Sequence, residues 1–188
     1  LKQRRSLVEK TEVEYNLDLA KLLDGSINLT YQVPLLKLDN KQKFRDNNQL
    51  TNQKIVLFHP GYGGSSDGNL TLEGYLKLAK VIRNLPNIQV VWVFGPDDLD
   101  AKDKIKGLIP DTDIIYHPST LLDYCFLIRD SELLISTSTG PMHLAGALNI
   151  KTVSFFGNNL FASSKRWATV SETNKQLNIE IDKDYQQD

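Results

Sequence analysis

Cysteine is almost missing from this chain: Cys125 stands alone, so no disulfide can close within it. That usage suits a reducing compartment and a cytoplasmic setting. Cys125 lies in the apolar run Leu121-Leu122-Asp123-Tyr124-Cys125-Phe126-Leu127-Ile128, where a packed thiol is the expected state rather than a reactive one. Histidine is sparse as well, with 3 scattered residues; with one cysteine they form no metal-ligand cluster, and no metal or cofactor is expected. No apolar stretch is long enough to cross a bilayer or act as a signal peptide. The sequons at Asn28 and Asn69 are therefore read as accidents of composition. Neither sign of charge dominates: 22 Lys and Arg against 23 Asp and Glu leave a net charge of −1, which gives no reason to expect nucleic acid as a partner. Methionine is limited to Met142, and the chain opens on Leu1, which sets the expectation that it is a piece of a longer protein.

What is present is enough for a sizeable core. With 188 residues, 40% hydrophobic and 24% charged, the length allows one domain or at most two small ones. Apolar periodicity alternates between helix and strand. Residues 11–23 read as a helix with Val13, Leu17 and Ala20 on one stripe and Gly25 as its stop. Residues 34–38 read as a short extended piece, and 39–53 as a polar loop with Phe44 and Leu50 as anchors. Strands are expected at 55–58, 88–94, 114–116, 133–136 and 152–156, and helices at 72–82, 100–108, 121–129 and 141–148. The run over 88–94, continuous and stopped by Gly95-Pro96, fits a parallel strand buried on both faces. This order predicts an α/β, Rossmann-like parallel sheet with helices on both faces, whose ligands lie beyond the C-terminal strand ends.

The segments after the strands carry the candidate chemistry. Ser138-Thr139-Gly140-Pro141-Met142-His143 runs from a strand through a small-residue turn into a helix. Gly140 frees the turn, Pro141 suits the first helical position, and the Met142 and His143 amides face the mouth, an arrangement that receives a phosphate. The plainer reading is an ordinary strand-to-helix turn, with His143 a first-turn hydrogen-bonding residue. After the first strand, Gly61, Gly63 and Gly64 let backbone approach a bulky group, while Ser65 and Ser66 add hydroxyls. The third glycine of the dinucleotide fingerprint is missing, so the alternative is a glycine-rich surface turn. Asp97 and Asp98 follow the second main strand, where a carboxylate can accept hydrogen bonds from ribose hydroxyls; the plainer reading is a solvated acidic helix start favoured by the macrodipole. In His117-Pro118-Ser119-Thr120 either Ser119 or Thr120 serves as an N-cap.

The run Ser136-Thr137-Ser138-Thr139-Gly140-Pro141-Met142-His143-Leu144-Ala145-Gly146-Ala147, followed by Lys151-Thr152-Val153-Ser154-Phe155-Phe156-Gly157, resembles the donor-binding signature of the family-nine glycosyltransferases, the bacterial lipopolysaccharide heptosyltransferases. Tyr15-Asn16-Leu17-Asp18-Leu19 resembles the opening helix of the family's C-terminal half. His59-Pro60-Gly61-Tyr62-Gly63-Gly64-Ser65-Ser66 resembles its first glycine-rich loop, and Lys165-Arg166-Trp167 its late Arg-Trp motif. The matches follow the family's order over most of the chain.

The resemblance implies the C-terminal half of a GT-B-type enzyme, with residues 1–188 forming a single nucleotide-sugar-binding domain and the N-terminal acceptor domain absent. It implies an ADP-heptose-like donor, a lipopolysaccharide core acceptor reached through the other domain, and a peripheral position at the inner face of the bacterial inner membrane. The donor-binding residues it implies are Gly63, Gly64, Ser65, Ser66, Asp97, Asp98, Ser119, Ser138, Thr139, Gly140, Pro141, Met142, His143, Lys165 and Arg166, with the loop at Ser119 bordering the base. No catalytic residue is assigned, since the family's base lies in the N-terminal domain.

Two positions depart from the family pattern. Ser138 stands where heptosyltransferases usually carry aspartate, and the loop Ser65-Ser66-Asp67-Gly68-Asn69 lacks the usual lysine. Lys165 and Arg166 are the candidates to replace that charge, against a reading as a basic surface loop anchored by Trp167. Two other classes stay open: an NAD(P)-binding Rossmann domain with Gly61 to Ser66 on the pyrophosphate, and a non-catalytic nucleotide-binding module.

Overall fold

A computed structural model of the chain describes residues 3–26, 30–39, 43–50, 52–61, 68–96 and 98–182. Six strands, β1 (Lys54–His59), β2 (Ile88–Val93), β3 (Ile114–Tyr116), β4 (Leu133–Thr137), β5 (Lys151–Gly157) and β6 (Gln176–Ile181), form one sheet in the order β3-β2-β1-β4-β5-β6. Every pairing is parallel. Strand order reverses between β1 and β4, which in a doubly wound sheet opens a crevice beyond their C-terminal ends.

Seven α-helices accompany the strands among the described residues: α1 (Glu12–Ala20), α2 (Lys43–Asn47), α3 (Leu72–Ile82), α4 (Leu99–Lys106), α5 (Leu121–Arg129), α6 (Gly140–Ala147) and α7 (Ser164–Trp167). On one sheet face, Tyr75 and Ala79 of α3 and Ile105 of α4 pack with Val56, Phe58, Val90, Trp92 and Phe155. The Phe58 and Trp92 rings lie 4.7 Å apart, and Tyr75 meets Phe155 edge-on at 5.7 Å. On the other face, Tyr124, Leu127 and Ile128 of α5 and Ala145 of α6 pack on Ile55, Leu57, Val91, Val93 and Leu134. β1, β2 and β4 are buried on both faces, which is why their sequences are continuous apolar runs rather than alternating ones.

The second face also carries a polar row. His59, Ser136, Ser154 and Asn178 occupy matching registers across β1, β4, β5 and β6. Strand side chains alternate in direction, so the row points the same way as Leu57 and Leu134, toward α5 and α6. The Ser136 and Ser154 hydroxyls and the Asn178 carbonyl are buried without a hydrogen-bond partner among the described residues.

Several boundaries differ from the sequence expectations. α1 stops at Ala20, before Gly25, and its start is closed by a capping box in which Thr11 and Glu14 bond reciprocally. Residues 34–38 join no strand; the Leu35 and Leu36 N–H groups donate to the Ala147 carbonyl at 2.7 and 3.1 Å, satisfying the last turn of α6. The stretch expected as a polar loop contains α2. Tertiary contacts stabilise it: Phe44 and Leu50 are buried as anchors, and Arg45 donates to the carbonyls of Leu50, Gln53 and Asp130. The edge strand β6 and the short helix α7 were not expected at all, although Gln176-Leu177-Asn178-Ile179-Glu180-Ile181 does alternate polar and apolar residues.

Candidate functional site

The C-terminal ends of β1, β2 and β4 are laced together at the crevice. Gly61, just beyond β1, accepts a hydrogen bond at its carbonyl from the buried Thr137 hydroxyl at 3.2 Å. A β-carbon built on Gly61 would lie 2.1 Å from Asp98 Oδ2, so any other residue there would have to displace the Asp98 carboxylate. Asp98 in turn accepts the Gly95 N–H at 3.0 Å. The carboxylate therefore closes its own turn, and it makes no capping bond to α4 despite preceding it. Gly68, where the described chain resumes, has φ of +85° and packs on the Gly157 amide at the end of β5. The loop after β1 is thus anchored at one end over β2 and β4 and at the other over β5. Gly63, Gly64, Ser65, Ser66 and Asp97 lie outside the described residues.

Beneath these loops sits a residue of the glycine-rich motif to which the sequence assigned no role. His59 ends β1 and is buried, with Nδ1 3.1 Å from the Val93 carbonyl and its ring 6.2 Å from that of Tyr124. Nδ1 therefore carries the proton and Nε2 is an acceptor. Burial holds its pKa below the ordinary value, against an opposing pull from the Asp98 carboxylate. Burial, and secondarily Asp98, pushes the Tyr124 hydroxyl up. The available signal was the strand-terminal position of a lone histidine immediately before the Pro60-Gly61 turn.

The turn between β4 and α6 differs in detail from its sequence reading. Ser138 N–H donates to the Phe155 carbonyl at 3.0 Å and Thr139 N–H to the Thr137 carbonyl at 2.9 Å. The Met142 and His143 N–H groups, expected to face a ligand, both donate to the Thr139 carbonyl, at 3.1 and 3.4 Å. They are consumed because the helix begins one residue earlier than expected: Gly140 is its first residue and Pro141 its second. Pro141 has no N–H, so the Gly140 amide is the one left without a partner among the described residues of this first turn. Gly140 is helical rather than left-handed, and a β-carbon built there meets none of the described atoms within 4 Å. Nothing in the described fold requires glycine there; its effect is to leave the helix start clear of described atoms. The Thr139 side chain makes no capping bond, and Ser138 is half-buried beside it.

The Lys165-Arg166-Trp167 segment forms α7 and reaches this turn through a ring contact: Trp167 meets His143 edge-on, with centroids 6.4 Å apart. Trp167 is half-buried rather than set in the core, and its Nε1 donates to the Phe161 carbonyl at 2.8 Å. The His143 imidazole lies against this ring, and burial lowers its pKa. Lys165 is exposed. The Arg166 guanidinium stacks on Trp167 at 4.8 Å and donates through Nε to Glu12 at 2.7 Å. Ser119 is exposed and apart from these contacts, while Thr120 caps α5 by accepting the Asp123 N–H at 3.0 Å. The structure thus gathers Gly61, Asp98 and Thr137 at one end of the crevice and joins Ser138 to His143 with Arg166 and Trp167 at the other.

A six-stranded parallel sheet in this order, with a helix start that lacks a side-chain cap beside its switch point, defines a Rossmann-like α/β module of the kind that GT-B glycosyltransferases use. The chain belongs to glycosyltransferase family 9 (heptosyltransferase), whose family model matches residues 2–187. It is 30% identical over 189 residues to a putative glycosyltransferase of Haemophilus influenzae, covering 94% of this chain and 54% of that protein. It is 25% identical over 166 residues to lipooligosaccharide heptosyltransferase 2 of Campylobacter jejuni, covering 85% and 50% respectively. Among solved structures it resembles a family 9 glycosyl transferase from Veillonella parvula, with TM-score 0.75 and 16% identity over 93% of this chain and 51% of that one. The E. coli ADP-heptose lps heptosyltransferase II matches with TM-score 0.68 and 22% identity over 84% and 48%. The chain spans about half the length of the curated relatives it matches. No helix among the described residues is long and apolar enough to cross a membrane.

Proposed function

We propose that this chain is the nucleotide-sugar-binding half of a two-domain glycosyltransferase that moves a sugar from an ADP-heptose-like donor to a lipopolysaccharide core. The observation that carries this reading is the start of α6. Its Gly140 N–H has no partner among the described residues, Gly140 is exposed, and a β-carbon there meets none of the described atoms; beside the switch point of the sheet, a diphosphate gains there both a donor and a favourable dipole. Membership of family 9 supports it, as does the likeness to an E. coli heptosyltransferase solved with ADP, with TM-score 0.56 over 70% of this chain.

In this reading the half described here holds the donor and stabilises the departing diphosphate. The base that takes the acceptor proton comes from the other half. Ser138, Thr139, Gly140 and His143 line the diphosphate side, with Arg166 as the nearby cation; Asp98 and Ser119 border the nucleoside. The two-domain enzyme works in the cytoplasm, peripheral to the inner membrane. The 188-residue chain alone binds donor weakly and turns over negligibly.

Calorimetric titration of the chain with ADP, UDP, CMP and NAD tests the assignment. Binding of ADP above the others supports it. Preference for NAD returns the module to dinucleotide binding, a reading already weakened by the missing third glycine after β1. The serine at position 138 bears on the sugar. A carboxylate there would accept charge-assisted hydrogen bonds worth about 1.5–3 kcal/mol each, and a serine offers less. The intact enzyme therefore uses a donor other than ADP-heptose or grips the heptose through Ser65, Ser66 and Asp67. Ser138→Asp in the intact protein should shift turnover among a panel of nucleotide sugars. If wild type already prefers ADP-heptose and all three loop residues tolerate alanine, this account of the sugar is wrong.

A further inference from the structure

We propose that Glu12 is a positioning residue for Arg166, holding that guanidinium by one nitrogen so that its other edge is presented to the donor diphosphate. This rests on the donor-site reading above and names a residue 154 positions away in sequence as part of it. Glu12 is the first residue of α1, and the reciprocal Thr11–Glu14 capping box fixes the backbone that carries it. Its two carboxylate oxygens are divided between two cations. Oε2 accepts from Arg5 Nη1 at 2.7 Å and Oε1 from Arg166 Nε at 2.7 Å. The Glu12 side chain is only 12% exposed and that of Arg166 22%, so the pair is partly shielded from water and its geometry is well defined.

The manner in which Arg166 is held sets it apart from the arginines that serve the fold. Arg83 uses Nε and Nη2 together on Asp113, at 2.8 and 2.7 Å. Arg129 does the same on Asp130, at 3.0 and 2.8 Å, and Arg45 spends both Nη nitrogens on carbonyls. Arg166 gives Glu12 its Nε alone, and neither Nη nitrogen has a partner among the described residues. Its flat faces are also fixed, against Trp167 at 4.8 Å and Phe161 at 5.9 Å. A guanidinium stacked on aromatic rings and pinned at Nε keeps a two-pronged donor edge, the geometry that binds phosphate oxygens bidentately. Trp167 in turn meets the ring of His143 in the first turn of α6, which brings the Arg166–Trp167 stack up to the helix already assigned to the diphosphate. Fixing the fork before the ligand arrives removes ordering cost from binding. One carboxylate between two arginines also leaves the trio with a net positive charge for an anion.

Calorimetry on the 188-residue chain with ADP and with adenosine separates positioning from plain structural support, because only ADP carries the diphosphate. Glu12→Ala should weaken ADP about tenfold, the scale of one charge-assisted hydrogen bond. Adenosine affinity should stay within about twofold, as for an independent site. In the Arg166→Ala background, Glu12→Ala should cost no further ADP affinity, and Glu12→Gln, whose amide oxygen still accepts Nε–H, should recover most of the loss. Should Glu12→Ala not fold, Glu12→Asp, one methylene shorter, must show the same selective loss of ADP. Equal losses for ADP and adenosine, additive losses with Arg166→Ala, or ADP binding indifferent to Glu12 would each overturn the proposal while leaving the donor site intact. If wild type binds no ADP at all, the donor reading fails and this one with it.

Discussion

α5 and α6 begin alike and finish their first turns differently. Each follows a parallel strand at the C-terminal end of the sheet, and each has a threonine in extended conformation as its N-cap. Thr120 turns its hydroxyl onto the Asp123 amide, and an acidic residue occupies the first turn of α5. Thr139 makes no such bond; its hydroxyl is directed back toward the Thr137 carbonyl at 3.4 Å, and α6 has no acidic residue in its first turn. One helix start has its third amide closed by the cap hydroxyl and a carboxylate set against its positive end, although its exposed Leu121 and Leu122 amides have no partner among the described residues. The other keeps an open glycine position and an unopposed dipole, so a ligand anion can complete it. The two ends differ in the side-chain cap, the first-turn carboxylate and the open glycine position, and the shared threonine at the cap does not reveal that.

The largest test of this contrast is Gly140→Val. The side chain would enter space that the described fold leaves empty, so the protein should melt within a few degrees of wild type while ADP affinity falls by at least about 100-fold, some 2.7 kcal/mol. Undiminished ADP binding in a folded mutant removes α6 from the site. Next come the two caps. Thr120→Ala should lower unfolding stability by about 1 kcal/mol, whereas Thr139→Ala should cost only a few tenths, since no side-chain cap is lost. Urea midpoints measure both, and equal costs would erase the distinction between the helices.

Acidity gives a smaller, graded test. Burial depresses the pKa of His59 beneath α5 and of His143 in α6, so both stay neutral in the folded chain while the unfolded chain protonates them near the ordinary 6.5. Their contribution to stability is present in full above that value and is lost as pH falls below it toward the folded pKa values, because the unfolded state then binds more protons. Melting temperature should decline from pH 7 to pH 5, and His59→Gln or His143→Gln should flatten that decline. A profile unchanged in both variants would deny that these rings are buried neutral. Smallest of all is Ser154→Ala in the polar row under α6. The hydroxyl has no partner among the described residues, so its removal should be neutral or slightly stabilising, by less than about 1 kcal/mol, in urea unfolding.

By itself the sequence determined strands β1 to β5 and their alternation with helices, because buried parallel strands are written as continuous apolar runs and amphipathic helices as a 3.6-residue period. β3 and α5 fall on their expected residues, and 88–94 matches β2 to within one. The sequence also placed the candidate turn at Ser138 to His143, since Gly-Pro after an apolar strand is a local signal. Tertiary structure decided the rest. α2 exists because Arg45 reaches carbonyls as distant as Asp130, and β6 because β5 offered a free edge, neither of which shows in local periodicity. Which amides of the α6 turn stay free depended on a one-residue shift of the helix start, set by hydrogen bonds rather than residue type. The tie of Arg166 to Glu12 spans 154 positions. A charge pair so far apart leaves no periodic trace in a sequence; only the folded chain, having paid the entropy of closing that loop, brings the two groups within reach.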